Sequence, residues 1–257
     1  MNWSAVDLGI VGPALLAGLL VLATHVPLGM QVLKRGIVFI DLAIAQIAGL
    51  GVIAAAAMGL DAGGLTVQVA AITAALAGAA LLTWTEQRAG EQQEALIGVL
   101  FVLAASGGLL LLASSPHGSE QMKDLLVGQI LWVGKPQLLA LAAVTALLLI
   151  AIVTGATRRL GRFGFYATFA VAVTASVQVV GIYLVFTSLI VPALATMAWQ
   201  GRTRLMVAYA LGGLGYACGL ALSAVYDLPS GPAVVWTLAG TGLAIAVVRK
   251  WIQSDPR

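Results

Sequence analysis

Of the ten acidic residues in this 257-residue chain, nine stand between apolar runs or near their ends. The exception is Asp41, inside Ile37-Val-Phe-Ile-Asp-Leu-Ala-Ile-Ala-Gln46. A carboxylate embedded in a hydrophobic run costs about 3 kcal/mol on insertion scales, so it is normally retained beside a cavity, a cation or a partner group. Three roles fit its position. It can cap a helix that starts just after Arg35, bonding amides near Ile44. It can line a path for a cation, or it can join a structural ion pair. Gln46 follows five positions later, about 140° round a regular helix from Asp41. Ala45 shares the face of Asp41 and has no ligating atom. The other candidate is His25, in Thr24-His25-Val26-Pro27. Pro27 removes an amide and frees the carbonyl near Ala23, which Thr24 or His25 is expected to satisfy. Metal ligation by His25 is the alternative, and no second ligand stands near it in sequence. Gln178 and the pair Thr187 and Ser188 are expected to make interhelical hydrogen bonds, and His117 to sit in a solvated loop.

The elements that hold these groups follow from composition. The chain is 61% hydrophobic and 9% charged, against roughly 25% charged in a soluble domain. A soluble enzyme, a disordered tail and a nucleic-acid binder are excluded. The single cysteine, Cys218, cannot close an internal disulfide. The fold class is an all-α polytopic membrane protein, a bundle of eight or nine transmembrane helices in a single permease domain over 1–257. A crossing needs about 20 apolar residues. Runs of that kind lie at 9–33, 37–58, 65–83, 95–113, 137–154, 165–182, 184–199, 205–225 and 232–248. The pair within 165–199 is short for two crossings, and Gly181 and Pro192 interrupt it. Two small-residue spacings, Ala74 with Gly78 and Gly215 with Gly219, suit close helix packing or a subunit seam.

Orientation is read from basic residues. Of the 13 lysines and arginines, all but Lys123 and Lys135 fall in alternate loops or at the C-terminus. That set marks the cytoplasm, so the N-terminus is expected outside and the C-terminus inside an inner or plasma membrane. Met1 to Asp7 has no basic n-region, so a cleaved signal peptide is not expected. There is no G-x-x-x-x-G-K-[ST] sequence, so ATP hydrolysis, if it drives the protein, must reside on another polypeptide.

An ordered set of short segments resembles the zinc/manganese ABC transporter permeases. Pro27-Leu28-Gly29, the basic Lys34-Arg35 and Phe39-Ile40-Asp41 with its Ala/Gly-rich continuation to Gly51 are similar to that family's P-L-G and G-D-x-x-x-H-A region. Ala95-Leu-Ile-Gly98 resembles its A-I-G segment, and Val127-Gly128-Gln-Ile-Leu131 its F-G-x-I-L. Val180-Gly181-Ile-Tyr-Leu184-Val185, followed by Leu189-Ile-Val-Pro192-Ala193 and Thr196, resembles its V-G-x-x-L-V and L-x-x-P-A-A-T-A.

The resemblance implies the permease subunit of an importer for a divalent metal ion (zinc, manganese or iron). It implies a second permease chain, separate cytoplasmic ATP-binding subunits and an extracytoplasmic substrate-binding protein. The permease itself is not an enzyme and holds no cofactor; the metal is cargo. Asp41 matches the family carboxylate, and position 45, where the family has histidine, is alanine. Aligning on Gly51 instead places Gln46 under the histidine and Leu42 under the carboxylate. The candidate metal-contacting residues of the path are therefore Asp41, Gln46 and His25. The loop from Gly155 to Gly164 is Arg-rich and lacks the family's acidic D-P-E-x-A stretch. Two further readings stay open: a carrier of another solute that uses Asp41 as an ion or proton site, and a non-transporting membrane scaffold.

Overall fold

A computed structural model describes residues 8–60, 65–113 and 118–254. His117, read as a solvated loop residue, and the first seven residues lie outside the described set. Among the described residues there is no strand, and eleven α-helices follow in order: α1 (Leu8–Arg35), α2 (Ile40–Ala57), α3 (Leu65–Ala89), α4 (Gln93–Leu112), α5 (Gly118–Val127), α6 (Lys135–Val153), α7 (Ala156–Arg159), α8 (Gly161–Val180), α9 (Ile182–Ala195), α10 (Gly201–Tyr226) and α11 (Ser230–Ser254). Each of the nine apolar runs becomes a helix. Eight helices are long and apolar enough to cross a membrane, whereas α9, at 14 residues, is not. At 1.5 Å per residue it reaches roughly 21 Å, short of a hydrocarbon core of about 30 Å. α5 and α7 are not apolar runs. α5 keeps Glu120, Lys123 and Asp124 exposed and turns Leu125 and Leu126 partly inward, a pattern invisible to a 20-residue window.

α8 is the most enclosed of the eight long helices. On one side it meets α2 and α3; on the other it meets α1, α6 and α9. α2 packs chiefly on α3 and α4, while α1 packs on α9, α10 and α6, and α10 on α11. α1 and α2 have no extended contact with each other although they are consecutive. Polar backbone cannot be left unpaired in lipid, so the break between α8 and α9 needs a special residue. Gly181 supplies it at φ 80°, ψ 163°, a conformation open essentially to glycine alone. A Cβ there would strike the backbone of Val127 and Gly128, and one on Gly128 would strike Val180. The two motif glycines therefore let the segment after α5 press directly on the α8–α9 joint.

The small-residue spacings serve packing within the chain. Gly78 accepts Ile47 of α2 against its bare Cα, and Ala74 lies against Gly51. Gly215 and Gly219 receive Leu238 and Val234 of α11.

Candidate functional site

Asp41 lies in the first turn of α2 and is fully buried. The cap residue is Phe39, and no side chain caps the helix from that position. The capping role open to Asp41 is thus not the one it takes. Neither of its carboxylate oxygens has a hydrogen-bond partner among the described residues. An unpaired polar group in an apolar interior costs roughly 1–3 kcal/mol by mutational measures, so the site is incomplete as the chain alone builds it. A structural ion pair, the third role, is likewise absent among the described residues.

A second carboxylate, missed in the sequence reading, reaches the same turn. Glu94, at the start of α4, accepts a hydrogen bond from the Phe39 amide at 3.2 Å. Its other oxygen is buried and unpartnered. The positive end of the α2 dipole makes this turn a favourable place for negative charge. Glu94 is preceded by Gln93, which donates to the Leu82 carbonyl (3.1 Å) and toward the Tyr166 hydroxyl (3.4 Å). Nearby, Arg35 pairs with Glu86 at 3.5 Å. Glu94 stands 53 positions beyond Asp41 in sequence; its only signal was an acidic residue opening an apolar run.

Gln46 is buried too, but α2 runs unbroken from Ile40 to Ala57. The five-residue offset therefore keeps Gln46 about 140° from Asp41.

His25 is fully buried on α1. Its Nδ1 lies 2.9 Å from the Val21 carbonyl and 3.1 Å from the Thr24 hydroxyl. Thr24 itself donates to Val21. With Nδ1 donating to a carbonyl, Nε2 carries a bare lone pair, and Nε2 is buried without a partner. This is the arrangement in which ligating histidines are held. The carbonyl of Ala23, expected to be satisfied by Thr24 or His25, is satisfied by neither. Tyr209 of α10 donates its hydroxyl to it at 3.1 Å. The correction has a geometric cause: both side chains turn back one step further, to Val21, and a residue from another helix fills the gap that Pro27 leaves.

His25 stands on α1, whereas Asp41 and Gln46 stand on α2, and these two helices have no extended contact with each other. No group of three or more His, Cys, Asp or Glu side chains able to hold a metal ion exists among the described residues. Of the groups expected to bond between helices, Ser188 does so, to the Tyr216 hydroxyl at 2.8 Å. Thr187 bonds within α9 to Tyr183, and Gln178 is only partly buried.

The described residues form a bundle with eight helices long and apolar enough to cross a membrane, so the chain is of the multi-pass membrane-protein class. Residues 8–158 and 150–249 match the ABC 3 transport family, and the chain belongs to it. It is a membrane permease of the ABC class. In fold it is similar to a chain of PsaBC from Streptococcus pneumoniae in complex with Fab. That match has 20% identity and a TM-score of 0.73, over 91% of this chain and 90% of the other. It is also similar to a chain described as a metal-chelate type ABC transporter in an inward-facing conformation. There the identity is 16% and the TM-score 0.69, over 93% of this chain and 85% of the other.

Proposed function

We propose that this chain is the membrane-spanning subunit of an importer for a divalent metal ion: zinc, manganese or iron. Two permease chains would form the path, separate cytoplasmic ATP-binding subunits would drive it, and an extracytoplasmic binding protein would deliver the cargo. The distribution of basic residues supports an inner or plasma membrane setting with the N-terminus outside and the C-terminus inside. The observation that carries the reading is Asp41: a fully buried carboxylate at a helix start, with neither oxygen partnered among the described residues. Oxygen donors of this kind suit manganese and also serve zinc. Glu94 adds an unpaired oxygen at the same turn. His25 Nε2 offers a lone pair further along α1, and Gln46 an amide on the other side of α2.

The absence of a three-ligand cluster among the described residues favours a second reading, in which the metal crosses within a chelate and the path needs few ligands of its own. One structural relative is described as of the metal-chelate type. The two readings separate in one experiment. Whole-cell element analysis compares a deletion strain, its complemented parent and an Asp41→Asn variant in metal-limited medium, with membrane levels of the protein matched. Selective loss of one metal in both the deletion and Asp41→Asn supports the free-ion reading. Loss in the deletion with full rescue by Asp41→Asn removes Asp41 from the path and favours the chelate. No change in any metal overturns both.

A further inference from the structure

The polar cleft at the C-terminal ends of α1 and α6 has no part in the path just described. It encloses about 140 Å³ and is walled by α1, α6, α7 and the start of α8. That is well above the roughly 10–15 Å³ needed to admit one water. Arg35 and Arg158 line it, with Gln31 and Thr157 as further polar groups, and no carboxylate does so among the described residues. The Arg35 guanidinium lies over the Phe165 ring, 4.1 Å from its centre, which fixes its plane. Only one of its terminal nitrogens is engaged, by Glu86 at 3.5 Å, so donors remain for a second acceptor. The Arg158 guanidinium has no partner among the described residues. Gly161, the first residue of the 20-residue helix α8, also lines the cleft. The cap position of that helix, Leu160, makes no side-chain capping bond, and a helix start favours negative charge beside it.

We propose that this cleft binds a phosphate group. Two guanidiniums, one of them also paired with Glu86 outside the lining, and a helix start without a capping side chain form a donor set that a tetrahedral oxyanion completes. The source is either a phospholipid headgroup or free phosphate. The cleft lies where two long apolar helices, α1 and α6, end and a third, α8, begins, with Val153 and Leu160 exposed. Basic pockets between spanning helices bind anionic headgroups by these means.

The test is native mass spectrometry of the full chain in detergent, offered phosphatidylglycerol, diacylglycerol or inorganic phosphate. Phosphatidylglycerol should be retained over diacylglycerol, and Arg158→Gln should lower retention about fivefold, whereas Arg202→Gln on another loop should not. Arg35→Gln should act in the same direction, while Glu86→Gln, which breaks the same ion pair but keeps the guanidinium, should not. Retention that persists in millimolar inorganic phosphate identifies the lipid as the source; displacement by phosphate identifies the free anion. Equal retention of both lipids without any phosphate binding overturns the proposal. So does an Arg158→Gln effect no larger than that of Arg202→Gln. Unchanged retention with weakened association of the ATP-binding subunits would make the cleft a protein-docking surface, and the proposal would fail.

Discussion

The two sides of α8 treat buried polar groups differently. On the side of α1, α9 and α10, polar groups are largely tied to the chain itself: His25 Nδ1 to Val21, Tyr209 to Ala23, Ser188 to Tyr216, while His25 Nε2 and Arg204 Nε stay unpartnered among the described residues. On the side of α2, α3 and α4, acceptor oxygens are left over: both of Asp41 and one each of Glu86, Gln93 and Glu94. On the first side two of these bonds, Tyr209 to Ala23 and Ser188 to Tyr216, hold helices together. The second keeps negative and acceptor character in reserve, at the cost of unsatisfied burial. The lesson is that burial alone does not mark a working residue. His25 and Asp41 are equally enclosed, yet one is anchored at Nδ1 and the other has no anchor among the described residues.

Substitutions can sharpen or break this contrast, and the largest effect is expected at Asp41. Asp41→Val should cut metal uptake at least about tenfold, since loss of supporting groups alone costs ~10–100-fold at metal sites. It should also raise the stability of the purified chain by about 1–3 kcal/mol, because an unpaired buried acceptor is removed. Thermal unfolding in detergent and uptake by membrane vesicles measure the two together. A variant that lost stability as well as uptake would place Asp41 among the bonded, structural groups.

Tyr209→Phe should do the opposite. It strands the Ala23 carbonyl that Pro27 freed, at a cost of about 1–3 kcal/mol, and should change uptake only in proportion to folded protein. An unchanged unfolding midpoint would mean that the carbonyl finds another partner. Ser188→Ala breaks the bond to Tyr216 and should cost about 1 kcal/mol, with the same readout and again no selective loss of transport. The smallest effect belongs to Glu86→Gln. The Arg35 pair is 3.5 Å long and part-exposed on both sides, so under about 1 kcal/mol is expected. A larger loss would show that the Glu86 end of α3 is held more tightly than its geometry indicates.

The spans and the breaking glycine were legible in the sequence because both are local properties. A run of 20 apolar residues has little choice but to become a helix in lipid, and Gly181 interrupts such a run where other residues could not follow. α5 and α7 were not legible, since a short helix with charge on one face gives no hydropathy signal. The length of α9 was only partly so. The run at 184–199 reads as apolar throughout, but its helix stops at Ala195 and falls short of a full crossing.

Asp41 stood out in the sequence because a carboxylate among aliphatic neighbours is costly, and that cost is independent of fold. What stands around it was decided by tertiary structure. Only the folded bundle brings Glu94 from α4 to the first turn of α2 and carries Tyr209 from α10 to a carbonyl 186 positions away. These are contacts between helices, and no local pattern of hydropathy or spacing encodes which helix meets which. The class of the protein and the identity of its unusual carboxylate thus follow from the chain read in order. The absence of a partner for that carboxylate among the described residues, and the arginine-lined cleft at the C-terminal ends of α1 and α6, follow from side-chain packing across the bundle.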